Sequence, residues 1–192
     1  LWVCNIMLPM VAEHLGKETS NKEGWLTGLA DMILKNREDN QIELAVAFPV
    51  TEELVERKWV IPVKGMENSL YCYGFLEDTV HPEVYEESLE TELKGIVEDF
   101  KPDVVHCFGT EYPHTLAMCR AFPYKNRILV GIQGLCSFIA DAYLADLPKY
   151  VVNSRTLRDV LRKDSLLEQR NKFALRGEIE RESISRAGNI TG

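Results

Sequence analysis

The sequence predicts an α/β protein built on a doubly wound, mainly parallel sheet. Three observations predict it. Short, almost wholly apolar runs recur along the chain, as in Leu1–Ile6, Ile42–Phe48, Asp103–Phe108 and Ile128–Ile132, and a parallel strand covered on both faces reads as such a run. Segments with helical spacing of apolar residues alternate with them. Three of the runs also open into loops holding a glycine and polar side chains.

The elements follow in order. Leu1–Ile6 is the first strand, and Asn21–Ala30 carries Gly24 at the mouth of an amphipathic helix. Glycine lets backbone approach a ligand or the sheet closely. Ile42–Phe48 is the second strand, ended by Pro49. Trp59–Val63 and Leu70–Phe75, with a turn at Gly65–Asn68 between them, make a hairpin or meander. From His81 to Phe100 the residues Val84, Leu89, Leu93, Ile96 and Val97 keep helical spacing, and Lys101-Pro102 stops the helix. Asp103–Phe108 is a strand ending at Gly109. Pro113–Phe122 is a helix, Ile128–Ile132 a strand, and Thr156 to about Arg186 one largely helical stretch. Strands alternating with helices imply right-handed crossovers and a sheet covered on both faces, that is, a Rossmann-like domain spanning residues 1–192.

Composition narrows the function. With 45% hydrophobic and 27% charged residues the chain is an ordinary globular one, and no apolar stretch is long enough for a membrane span. The five cysteines include no Cys-x-x-Cys pair and sit mostly in apolar runs. They read as buried, reduced thiols in a cytosolic compartment rather than as a disulfide framework or zinc site. The net charge of −8 argues against nonspecific nucleic-acid binding. Residues 149–192 run the other way, with ten Lys or Arg against six Asp or Glu. This basic stretch meets an anionic substrate or a membrane surface, or is a solvated helix face.

In open doubly wound sheets, ligands bind beyond the carboxyl ends of the strands at the switch point beside the first strand. Three loops are expected to converge there: Met7–Glu23, Phe108–His114 and Gln133–Ser137, with Glu23, Thr110, Glu111, Gln133 and Ser137 as polar groups. His106 is either a half-buried imidazole bonded to a backbone carbonyl or a group directed toward a sugar hydroxyl. Glu111 and His114 either balance a helix start or contact an acceptor. Trp25 is a core anchor or a stacking surface. His14, His81, His106 and His114 form no His-Glu-x-x-His pattern, so no metal site is expected. Gly24 and Gly28 stand four apart, outside the dinucleotide fingerprint, and there is neither a Walker loop nor a Gly-x-Ser-x-Gly elbow.

Gly24–Leu29 after the first strand, Lys101-Pro-Asp-Val-Val-His106 before Gly109, Ile132-Gln-Gly134 after the next strand and the ending Ser185–Thr191 together resemble the N-terminal domain of family 4 glycosyltransferases. These are retaining enzymes of the GT-B type, built from two facing Rossmann domains. The resemblance implies an acceptor-binding domain whose donor-binding partner domain lies beyond Gly192, and hence a chain inactive by itself. It implies transfer of a sugar from a nucleotide-sugar donor, a co-substrate rather than a cofactor, to a glycan, lipid-linked or small-molecule acceptor. Polysaccharide biosynthesis in the cytoplasm, at the inner face of the membrane, is the family setting. By position, Gly24 and Trp25 would sit by the donor diphosphate, and His106 and Glu111 would carry the catalytic contacts. Gly109, Thr110, Gln133 and Gly134 would shape the substrate cleft. Two departures stand out: Glu23-Gly24-Trp25 replaces the double glycine frequent in the first loop, and Gln133 stands where a histidine is frequent. The competing expectations are a nucleotide-sugar epimerase of the same fold, with Glu111 as its acid–base group, and a stand-alone binding domain.

Overall fold

A computed structural model describes residues 1–19, 24–36, 41–63 and 69–192. The expected turn at Gly65–Asn68, and Glu23 among the loop polar groups, lie outside the described residues. The elements are β1 (Trp2–Val3), α1 (Pro9–His14), α2 (Gly24–Lys35), β2 (Ala45–Val50), β3 (Lys58–Pro62), β4 (Ser69–Leu76), α3 (Ser88–Phe100) and β5 (Val105–Phe108). There follow α4 (Pro113–Ala121), β6 (Ile128–Gly131), α5 (Cys136–Ala142), α6 (Lys149–Val152), α7 (Leu157–Arg162), α8 (Leu166–Arg186) and β7 (Asn189–Thr191).

Among the described residues seven strands form one sheet in the order β3-β4-β2-β1-β5-β6-β7. All neighbours are parallel except β3, which pairs antiparallel with β4 at the edge. Without β3 the order is that of a doubly wound sheet with its switch point between β1 and β5, an arrangement compatible with a Rossmann-like domain. One face packs Trp2, Val46, Phe48, Cys72 and Phe108 against Leu26, Ala30 and Leu34 of α2 and Leu8 and Val11 around α1. The other packs Val3, Ala47, Phe75, Cys107 and Val130 against α3 and α4 through Leu89, Leu93, Ala117 and Met118. All five cysteines are free and buried, and burial raises the Cys4 and Cys107 thiols far above their ordinary range.

Several expected boundaries move, each for a physical reason. The first strand is only two residues long, and the segment expected as the long loop Met7–Glu23 holds α1, started by Pro9 at its first position. Pro49 does not end the second strand, since it pairs with Phe75 in register. Ala47 directs its carbonyl to Cys4 of the β1 side, so two residues on Pro49 faces the same side, past the end of β1, where no ladder bond is lost. The helix expected from His81 starts only at Ser88. Val84 is exposed, and Asp78 Oδ1 instead accepts from the Val80 and His81 amides in a turn. Lys101 ends that helix in the left-handed region at φ +54°. The single helix expected from Thr156 to Arg186 is two, α7 and α8, separated at Lys163 (φ +51°) and each opened by a capping box, Thr156 with Asp159 and Ser165 with Glu168.

Helix α8 approaches α5 closely at Gly177, where an added Cβ would stand 2.8 Å from Ser137 Cα. The obstacle is backbone, so it cannot rotate away. Gly177→Ala should therefore destabilise the fold by about 1–3 kcal/mol through overpacking, read as a lower urea midpoint. A midpoint equal to wild type would contradict this packing.

Candidate functional site

The carboxyl edge of the sheet is organised from below by one carboxylate. Glu180, on α8 and fully buried, accepts hydrogen bonds from the Cys136 amide (2.7 Å), the Ser137 amide (3.2 Å) and the Ser137 hydroxyl (2.6 Å). It thus occupies the amino end of α5, where free N–H groups favour an anion. The Thr110 hydroxyl, also fully buried, lies 3.3 Å from Glu180 Oε2 and 3.3 Å from the Gly134 carbonyl. The loops after β5 and β6 are so tied together, and Arg176 of α8 adds a bond from its Nε to the Glu111 carbonyl (2.9 Å).

Above this support lies the cluster the sequence predicted. Gly109 turns the chain at φ +91°, a conformation that favours glycine, and an added Cβ would meet Glu111 Oε2 at 2.1 Å and Gln133 Oε1 at 3.6 Å. Gly134 also faces this carboxylate, with more room: Glu111 Oε1 lies 3.9 Å from where its Cβ would be. The structure thus brings Gly109, Thr110, Glu111, Gln133 and Gly134 together. Gly24 and Trp25 open α2 and are exposed, Trp25 at 52%, with its ring 5.4 Å from that of Phe108 at the end of β5. Trp25 is therefore a surface platform on an aromatic base rather than a core anchor. His106 stands two residues back from the end of β5, its ring 3.8 Å from that of Phe108 and beside Gly131 of β6. Burial lowers its pKa to about 4, so the ring is neutral at physiological pH.

Two residues of this edge were not among the expected ones. Glu77, immediately after β4, accepts from the His114 amide (2.9 Å) at the start of α4 and lies 2.7 Å from His114 Nδ1. Both side chains are almost wholly buried, and the His114 ring packs between Tyr112 and Phe75. The group that balances this helix start is thus Glu77, and Glu111 is left free of that task. The signal was its position directly after a parallel strand. Glu180 had no such signal, because the buried stripe of α8 is Gly177, Glu180 and Ser183, which carries no hydrophobic period. Glu77 also walls a cavity of about 340 Å³ over the carboxyl ends of β1, β2 and β4, lined further by Met7, Pro49, Thr51, Leu54 and Thr79.

Buried polar atoms are normally hydrogen-bonded. Among the described residues the exceptions are Thr27 Oγ1, His106 Nε2, Glu111 Oε2 and His114 Nε2. Thr27, Glu111 and His114 lie on the first turns of α2 or on the loop and helix that follow β5, around the switch point, whereas His106 lines a cavity of about 550 Å³ with Leu1, Leu44, Lys101, Asp103 and Val104 at the amino ends of the strands. Among the described residues no group of three or more His, Cys, Asp or Glu is placed to hold a metal ion, and no helix is long and apolar enough to cross a membrane. Comparison with protein-family models, curated proteins and solved structures finds no match to this chain.

Two outcomes test this geometry. Glu180→Ala leaves the Cys136 and Ser137 amides and the Ser137 hydroxyl without their acceptor, and should cost about 3 kcal/mol or more. Amide exchange at Cys136 and Ser137 should accelerate with it, while unchanged exchange would remove Glu180 from its supporting role. For His106, the folded pKa lies below the unfolded value near 6.5. Its contribution is present above that value and is lost as pH falls from about 6.5 toward 4. In urea melts across this window, His106→Leu should flatten the decline in stability, and parallel wild-type and variant curves would refute the assignment.

Proposed function

We propose that this chain is the acceptor-side domain of a retaining two-domain glycosyltransferase, moving a sugar from a nucleotide-sugar donor to a glycan, lipid-linked or small-molecule acceptor. The observation that carries the proposal is Glu111 Oε2, a buried carboxylate oxygen without a partner at the sheet edge where the loops after β5 and β6 meet. A native fold retains such a group at a cost in stability, and a ligand hydroxyl offers the missing donor. The ordered motifs that resemble family 4 glycosyltransferases support the same reading.

In this scheme Glu111 accepts from a sugar hydroxyl and its negative charge favours the positive charge that develops at the anomeric carbon. Gln133 supplies a neutral amide beside it. The opening of α2 at Gly24 presents backbone amides toward a donor diphosphate, and the exposed Trp25 ring offers a flat apolar surface to a sugar. His106, neutral at physiological pH, serves as a hydrogen-bonding group rather than as a charge. The 340 Å³ cavity beside Glu77 takes the acceptor. A facing second domain in cis completes the cleft and binds the nucleotide, and the protein works in the cytoplasm at the inner face of the membrane.

The test is a thermal-shift screen of the chain against oligosaccharides and nucleoside diphosphate sugars, with Glu111→Gln alongside. A saccharide should raise the Tm of the wild type and leave Glu111→Gln unmoved. A nucleotide sugar that stabilises the chain as strongly as any saccharide would place the donor site within these residues and overturn the acceptor-side assignment.

A further inference from the structure

Between α5 and α8 the chain makes an excursion that the core does not use. No residue from 141 to 164 is buried, and none belongs to either core cluster. Yet the segment is ordered into α6 and α7. Helix α7 closes its own amino end, Thr156 Oγ1 accepting from the Asp159 amide (3.2 Å) and Asp159 Oδ2 from the Thr156 amide (2.8 Å), and Lys163 ends it in the left-handed region.

The apolar residues of α7 are Leu157, Val160 and Leu161, at i, i+3 and i+4, which places them on one helix face. That face normally turns to the core. Here the three residues are 77, 58 and 76% exposed, and Tyr150 on α6 is 78% exposed. A six-residue helix gains little stability alone in water, so a free apolar stripe on one calls for a covering surface.

The charge around the stripe says which. Lys149, Arg155, Arg158, Arg162 and Lys163 lie in this one stretch, and none forms a salt bridge among the described residues. The only carboxylate among residues 149–163, Asp159, is held in the helix cap. These cations stand out on a chain of net charge −8. A second copy docked through the same patch by a two-fold axis would set Arg158 and Arg162 against their own equivalents. A nucleic acid would find aliphatic side chains at the centre of its contact. An anionic bilayer meets both features, with the apolar stripe entering the headgroup boundary and the Arg and Lys side chains reaching the lipid charges.

We propose that residues 149–163 form a membrane-docking surface that seats this protein on anionic lipid through Leu157, Val160, Leu161 and Tyr150, with Arg158 and Arg162 at the headgroups. The proposal rests on this patch alone and not on the glycosyltransferase reading; loss of sugar binding would leave it standing.

The test is co-sedimentation of the chain with phosphatidylcholine vesicles, with and without phosphatidylglycerol. The protein should pellet with the anionic vesicles and be released by raised salt. Leu157→Asp with Leu161→Asp, and separately Arg158→Glu with Arg162→Glu, should each weaken binding at least about tenfold. Both double variants should keep the wild-type circular dichroism and urea midpoint, because no core residue is touched. A Tyr150→Trp variant should show blue-shifted emission with anionic vesicles only. The proposal fails if the chain stays in the supernatant, or if it binds neutral and anionic vesicles alike. It fails equally if either double variant binds as wild type does. A dimer in sedimentation velocity that Leu157→Asp with Leu161→Asp disperses, without vesicle binding, would assign the stripe to a second copy instead.

Discussion

The loops after β5 and β6, where the candidate site lies, depend on the burial of one carboxylate, that of Glu180. Removing a carboxylate from water is expensive unless hydrogen bonds replace its hydration. Glu180 recovers them from the open amino end of α5, from Ser137 and from Thr110. The same bonds set the distance between α5 and α8, and Gly177 one turn earlier leaves room for that closeness. Because Thr110 also reaches Gly134, the loops after β5 and β6 are held from beneath, and Glu111 needs to do none of this holding. Its free oxygen is a consequence of the support that Glu180 provides.

A second carboxylate works in the same way on the other flank. Glu77 caps α4 and holds the His114 ring, joining the end of β4 to the helix after β5. The edge thus has structural carboxylates whose hydrogen bonds are made within the protein, and one, Glu111, with an oxygen left over. Sorting acidic groups by whether their lone pairs are occupied separates support from chemistry better than counting them. Arg120 provides a comparable tie away from the edge, joining α3 to α8 through Glu90 and Glu182; hydrogen bonds from Tyr85 and then Arg120 hold the Glu90 carboxyl below its usual range, and those from Arg120 and Arg186 do the same for Glu182.

The excursion through α6 and α7 is built on other terms. Helix α7 is closed by its own capping box and neither α6 nor α7 contributes a core residue, while the flanking α5 and α8 are packed tightly against one another. Rigid anchors on both sides of a locally folded, apolar and basic segment allow that segment to meet an external surface without disturbing the sheet.

Periodicity and composition alone determined the α/β class, the strand-loop-helix alternation, the burial of the cysteines and the grouping of Gly109, Glu111, Gln133 and Gly134. Apolar runs and glycines report directly on what a strand buries and where backbone turns. The two capping boxes were also written in the sequence, as Thr156-x-x-Asp159 and Ser165-x-x-Glu168, although the longer helical period masked them. Tertiary structure alone decided that Pro49 could sit inside a strand, since that depends on where the neighbouring strand stops. It also decided that Glu180 and Glu77 bear the site while Glu111 stays free, and that the Leu157, Val160 and Leu161 face finds no core. Whether a charge is satisfied, or an apolar face is covered, depends on what the fold brings opposite it, and a linear pattern holds no record of that partner.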